Sequence, residues 1–228
     1  YIKSKLKEYR IRNLPVPPPT DAVNVTRILG NPRRILILPY NRMGSVLLAT
    51  RVFKSVRERY PEAKISVAVH TAWSVLIQND PTIDEVITFG DEIEHPFSPG
   101  FLAVGETLAS RSFDVAFYLS YHYDLPTAYL ARLSNAALRI SFQTGEEHDF
   151  FNVQIIPAQT QRYEVERYLE LLDTLGISGG MRDYTMTISS AIREKARMKY
   201  FSGELEARKD MIAARSEEHT SELQSPNT

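Results

Sequence analysis

From Arg33 onward the chain alternates brief runs rich in Ile, Val, Leu and aromatic residues with longer amphipathic stretches. A strand that is apolar along its whole length must be covered on both faces. A connection long enough to hold a helix lets the next strand run parallel to the last. The pattern therefore predicts an α/β fold, a parallel sheet with helices on both faces. Strands are expected at Arg33 to Pro39, Lys64 to His70, Glu85 to Phe89, Asp114 to Ser120 and Leu138 to Phe142. Helices are expected at Val46 to Tyr60, Ala72 to Gln78, Phe101 to Ser110 and Leu125 to Ser134. In the first of these, Val46, Ala49, Phe53 and Val56 recur at spacings of three and four, which puts one stripe on the sheet. A later helix, Tyr163 to Leu175, gathers Val165, Tyr168, Leu169, Leu172 and Leu175 on one face, and Gly176 is its expected C-cap. A short strand at Tyr184 to Ile188 and a helix from about Ser190 to Leu205 follow.

The ends read differently. Residues 1–32 form a basic leader and a proline-rich linker: five basic residues between Lys3 and Arg12 face one acid, Glu8, and Pro15, Pro17, Pro18 and Pro19 enforce an extended chain. The leader reads either as a peripheral contact with an anionic membrane surface or as a solvated segment. Residues 33–188 make up the main domain, and 189–214 a helix leading toward a further domain. Residues 215–228 begin RSEEHTSELQS, which matches the translation of a sequencing-library adapter, so this tail is expected to be artefactual and the natural text to stop near Ala214.

Bulk composition narrows function mainly by exclusion. With 27 basic and 28 acidic residues, global charge offers nucleic acid nothing. The sequence has no cysteine, so disulfides and thiolate metal sites are ruled out and a cytoplasmic setting is expected. No apolar run approaches the roughly 20 residues that span a bilayer.

The segment richest in chemical implication is RRILILPYNRMGSVLLAT, Arg33 to Thr50. Here a buried strand passes through a short loop straight into a helix. Such a turn aims unpaired backbone N–H groups and the positive helix end beyond the strand's carboxyl edge, toward an anionic or hydroxyl-rich ligand. Asn41, Arg42, Met43 and Gly44 are the expected acceptor-binding residues of that loop. Gly44 is a single glycine rather than a dinucleotide fingerprint. Ser45 has a second reading, as the N-cap of the helix. Tyr121 and His122, with Tyr123 after the fourth strand, could stack on a sugar, and they could equally well pack. His70 lies at a strand end, Trp73 reads as core, and Glu146 to Asp149 read as a solvated loop rather than a metal cluster.

The run ILILPYNRMGSVLLATRVFKSVRERYPEAKISVAV resembles the opening of family-nine glycosyltransferases. Further matches are NDPTIDEVITF at Asn79 to Phe89, FDVAFYLS at Phe113 to Ser120, AYLARLSNAALRISF at Ala128 to Phe142 and YEVERYLELLDTLGI at Tyr163 to Ile177. The resemblance implies the N-terminal, acceptor-binding half of a GT-B enzyme, in which two Rossmann-like domains face a cleft and the second is truncated here. It also implies inverting transfer of a heptose-like sugar to a lipopolysaccharide core or related glycan at the cytoplasmic face of the inner membrane. No metal or cofactor is implied, and the donor nucleotide-sugar, ADP-heptose, would be held mainly by the missing domain.

Ser45 occupies the position at which the family carries an Asp base, and a serine hydroxyl alone cannot act as a base near neutrality. Arg51, Tyr118 and Tyr163 also depart from the family pattern. A displaced base, with Asp124 or His122 as candidates, and lost activity both fit. A non-catalytic carbohydrate-binding relative and an unrelated flavodoxin-like binding module are the rival readings, and the fragment alone is expected to be inactive.

Overall fold

A computed structural model describes residues 20–120, 122, 124–143, 150–158, 163–177 and 190–201. Its centre is a six-stranded sheet made of β1 (Arg34–Pro39), β2 (Lys64–His70), β3 (Glu85–Phe89), β4 (Val115–Leu119), β5 (Leu138–Phe142) and β6 (Val153–Ile155). Every pairing is parallel and the order is β3-β2-β1-β4-β5-β6. The five strands read from the sequence are present to within one residue at each end. β6 was not anticipated. The order also rules out the flavodoxin-like alternative, in which β1 would lie between β2 and β3; here its neighbours are β2 and β4.

Alternation along the strands divides the interior in two. Ile35 and Ile37 of β1 and Val115 and Phe117 of β4 face one layer, Leu36, Leu38, Ala116 and Tyr118 the other. The first layer is covered by helices α1 (Ala22–Gly30), α2 (Met43–Arg59) and α6 (Glu164–Thr174), which contribute Leu29, then Val46, Ala49, Val52 and Phe53, then Tyr168, Leu171 and Leu172. The second is covered by α4 (Pro99–Ala109), α5 (Leu125–Leu133) and a short 3-10 turn at Asp91–Glu94. The expected apolar stripe of α2 is thus the buried one, and α2 and α6 pack against each other.

Several boundaries shift for physical reasons. The helix read as Ala72 to Gln78 is a single turn, α3 (Thr71–Ser74), after which Leu76 and Ile77 bond three residues back instead of four. α1 lies inside the segment read as linker. Asp21 caps it by accepting from the Asn24 N–H at 2.7 Å, and Thr20 N donates to Asn152 O at 3.1 Å. Gly176 ends α6 as expected, at φ +71°, with Ile177 N bonded to Leu172 O. The expected strand at Tyr184 to Ile188, the proline run and the 215–228 tail lie outside the described residues. A second unit, beginning at Ile188, contains α7 (Ser190–Phe201), an exposed helix where its side chains are described.

Candidate functional site

In a parallel sheet all carboxyl ends share one rim, and a crevice opens there where the strand order reverses. In this sheet the reversal falls between β1 and β4. The chain leaves β1 through Tyr40 to Arg42 and enters α2 at Met43, while β4 leads through Ser120 and His122 to α5. Tyr40 N donates to Leu119 O at 3.2 Å, which ties the two exits together.

Arg42 sits at the N-cap position of α2 with no side-chain cap. Its guanidinium lies 5.3 Å from the Tyr40 ring centroid, and that ring lies 6.4 Å from the imidazole of His122. Cation, phenol and imidazole therefore form a row at the rim. Met43 is 51% exposed, and a Cβ built on Gly44 would meet no atom within 4 Å. No neighbouring backbone requires that glycine, and the space in front of it is open. The N–H groups of Met43, Gly44 and Ser45 precede the first intrahelical bond, Val46 N to Arg42 O, and so have no acceptor within the helix. Asn41 belongs to the same loop, and its carboxamide oxygen is buried without a partner among the described residues.

Ser45 is not an N-cap. It lies inside the first turn of α2, 5% exposed, and its hydroxyl donates to Glu164 Oε1 at 2.7 Å. The Tyr168 hydroxyl donates to the same oxygen. Burial pushes the Tyr168 phenol well above its ordinary pKa, and the hydrogen bond to Glu164 pushes it further, so it stays a donor. Glu164 heads α6 and was missed by the sequence reading. It is 119 residues from Ser45, and no local pattern marks such a pair.

The other candidates are largely committed to structure. Asp124 is the N-cap of α5: its Oδ2 accepts from Thr127 N at 3.2 Å and from Thr127 Oγ1 at 2.5 Å. His122 is held by its backbone, with its carbonyl accepting from Ser120 Oγ at 2.7 Å and from Tyr118 OH at 3.3 Å. Tyr118 is fully buried, stacked on Phe151, and organises this turn; burial, followed by the nearby Asp124 charge, raises its phenol pKa. His70 caps α3, accepting from Ala72 N on Nδ1, and its Nε2 meets Asp91 Oδ1 at 3.0 Å. Trp73 is half-buried against the first core layer. Tyr121, Tyr123 and Glu146 to Asp149 lie outside the described residues.

Among solved structures, a family-nine glycosyltransferase from Veillonella parvula DSM 2008 superimposes with a TM-score of 0.63 at 19% identity, over 75% of this chain and 49% of that one. This chain has the fold of the family-nine glycosyltransferases. The Escherichia coli ADP-heptose lps heptosyltransferase II is also similar, with a TM-score of 0.57 at 18% identity, over 75% and 52% of the two chains. In sequence, the chain is 25% identical over 160 residues to lipopolysaccharide heptosyltransferase 3 of Escherichia coli (strain K12), which is 68% of this chain and 46% of that protein. No family model matches. The chain spans about half the length of each of these relatives.

Proposed function

We propose that the protein is an inverting glycosyltransferase. It transfers a heptose-like sugar from a nucleotide-sugar, ADP-heptose, to a lipopolysaccharide core or related glycan, and this half of the enzyme receives the acceptor. The supporting observation is the open first turn of α2 at the strand-order reversal, with free space in front of Gly44 and an exposed Met43 beside it. A sugar hydroxyl and its neighbouring acidic groups would meet backbone N–H groups, the Arg42 guanidinium and the ring faces of Tyr40 and His122 there. Asn41 belongs to the same loop. The names of two of the relatives, lipopolysaccharide heptosyltransferase 3 and ADP-heptose lps heptosyltransferase II, are of one kind with this chemistry.

No helix among the described residues is long and apolar enough to cross a membrane. The reading places the enzyme at the cytoplasmic face of the inner membrane, where Lys3 to Arg12 would meet anionic lipid. The test is transfer by the product of the complete gene, with ADP-heptose as donor and heptose-deficient lipopolysaccharide as acceptor, followed by ADP release and acceptor mass. ADP release coupled to a one-heptose mass gain is the expected result. Acceptor binding with no transfer would instead support a non-catalytic carbohydrate-binding relative, a reading favoured by the serine at position 45. Absence of both binding and transfer would overturn the assignment.

A further inference from the structure

We infer that Glu164 is the general base of this site, held in place by Ser45 and Tyr168. This inference rests on the sugar-transfer reading above. At the rim where the acceptor would sit, Ser45 offers only a hydroxyl, which does not accept a proton near neutrality without a partner. The structure provides that partner from another element: the Glu164 carboxylate touches the Ser45 hydroxyl at 2.7 Å. Both hydroxyl donors, Ser45 on α2 and Tyr168 on α6 itself, converge on Oε1. Neither can be mistaken for a proton acceptor in this arrangement, since each is already giving its proton to the carboxylate. Oε2 takes no side-chain hydrogen bond from the described residues, and Glu164 is half-exposed where Ser45 and Tyr168 are buried.

Another carboxylate near this rim, Asp124, is differently employed. Asp124 Oδ2 holds the first turn of its own helix, α5, through two bonds from Thr127, whereas Glu164 reaches across to Ser45 of α2. Protonating Glu164 Oε2 breaks no bond seen here.

The step balances as follows. The acceptor hydroxyl oxygen forms a bond to the anomeric carbon of the nucleoside-diphosphate sugar, and its proton passes to Glu164 Oε2. The bond from the anomeric carbon to the diphosphate oxygen breaks, and its electron pair leaves with the nucleoside diphosphate. Glu164 then returns the proton to solvent. Ser45 and Tyr168 are positioning residues that fix Oε1 so that Oε2 is presented to the acceptor.

Glu164→Gln tests this in the complete gene product, with ADP-heptose and heptose-deficient lipopolysaccharide as substrates. The amide keeps an oxygen for both hydroxyls, so the fold is expected to survive, as read by thermal unfolding. kcat should fall roughly 10²- to 10⁴-fold, the usual size of a general-base contribution, with the acceptor KM changed less than about threefold on that same argument. The acidic limb of the wild-type pH–rate profile should disappear with it. A double variant, Ser45→Asp with Glu164→Gln, moves the carboxylate across the same hydrogen bond and should recover at least about tenfold of the lost rate. A Glu164→Gln enzyme with wild-type kcat and an intact acidic limb overturns the inference while leaving sugar transfer standing. If Glu164→Gln does not fold, the double variant decides by itself: folded and active supports the inference, folded and inactive refutes it. A wild-type enzyme that transfers no sugar overturns both readings at once.

Discussion

The phenolic hydroxyl of Tyr60, at the end of α2, donates to the carbonyl oxygen of Leu29, near the end of α1, at 2.8 Å, and the bond is buried. It joins the helix that precedes the sheet to the helix that opens the candidate site. Tyr60→Phe keeps the ring and orphans the Leu29 carbonyl, at a cost of about 1–3 kcal/mol. The expected outcome is a lower urea midpoint with an unchanged m-value, measured by circular dichroism.

A Cβ on Gly105 of α4 would stand 2.5 Å from Leu133 Cδ1 and 3.0 Å from Leu133 Cβ on α5. Rotating the leucine relieves the first contact but not the second. Overpacking of this kind costs about 1–3 kcal/mol, more than the roughly 1 kcal/mol that alanine gains over glycine in a helix. Gly105→Ala should therefore lower the melting temperature. Adding Leu133→Ala should produce less than the sum of the two single effects, the non-additivity expected of residues in contact.

Glu85 links β3 to its surroundings at the amino end of the sheet. Its carboxylate meets Arg111 at 2.7 Å, Lys64 at 3.1 Å and the Ser66 hydroxyl at 3.1 Å. Burial pushes its pKa up, but the hydrogen bonds from Arg111, Lys64 and Ser66 together outweigh burial and hold it at about 2. A folded-state value below the unfolded one contributes stability that is present above the unfolded pKa and lost as pH falls toward the folded one. Denaturation midpoints should therefore decline between about pH 4.5 and 2. Glu85→Gln should be less stable than wild type at pH 7, and the gap should narrow as the pH approaches 2.

Ser45→Asp alone should not behave as a simple restoration. It sets a second carboxylate against Glu164, across a contact now 2.7 Å long. Two ionised carboxylates at that distance repel each other. The variant should be less stable than wild type at pH 7 and approach it below about pH 5, where a carboxyl pair can share a proton. Thermal unfolding at a series of pH values measures this directly.

What could be read from the chain follows the range of the forces involved. The five longer strands are short apolar runs bounded by polar turns, so local pattern was enough to place them. β6 is only three residues long, at the sheet edge, with Gln154 exposed, and three residues carry too little alternation to stand out. α1 had a readable signal, Asp21 followed by apolar residues at helical spacing, but the preceding prolines drew the whole segment into one linker. The rim position of Asn41 to Ser45 was legible because a strand-loop-helix unit has only one geometry at a parallel sheet's carboxyl edge. The Ser45–Glu164 pair was not. It depends on α6 packing back onto α2, and neither residue type nor spacing encodes that contact.

The two rims of the sheet carry different kinds of cohesion. At the amino rim, Asp114 accepts from the backbone N–H groups of both Arg33 and Arg34, Arg34 reaches the Arg111 carbonyl, and Glu85 gathers Arg111 and Lys64. These charged clasps anchor β1, β3 and β4 at the end remote from the turn into α2. Residues such as Arg42, Met43 and Gly44 are thereby relieved of any duty to hold the strands together. These positions can be exchanged at little cost to folding, which leaves the opening of α2 free to vary while the sheet beneath it stays the same.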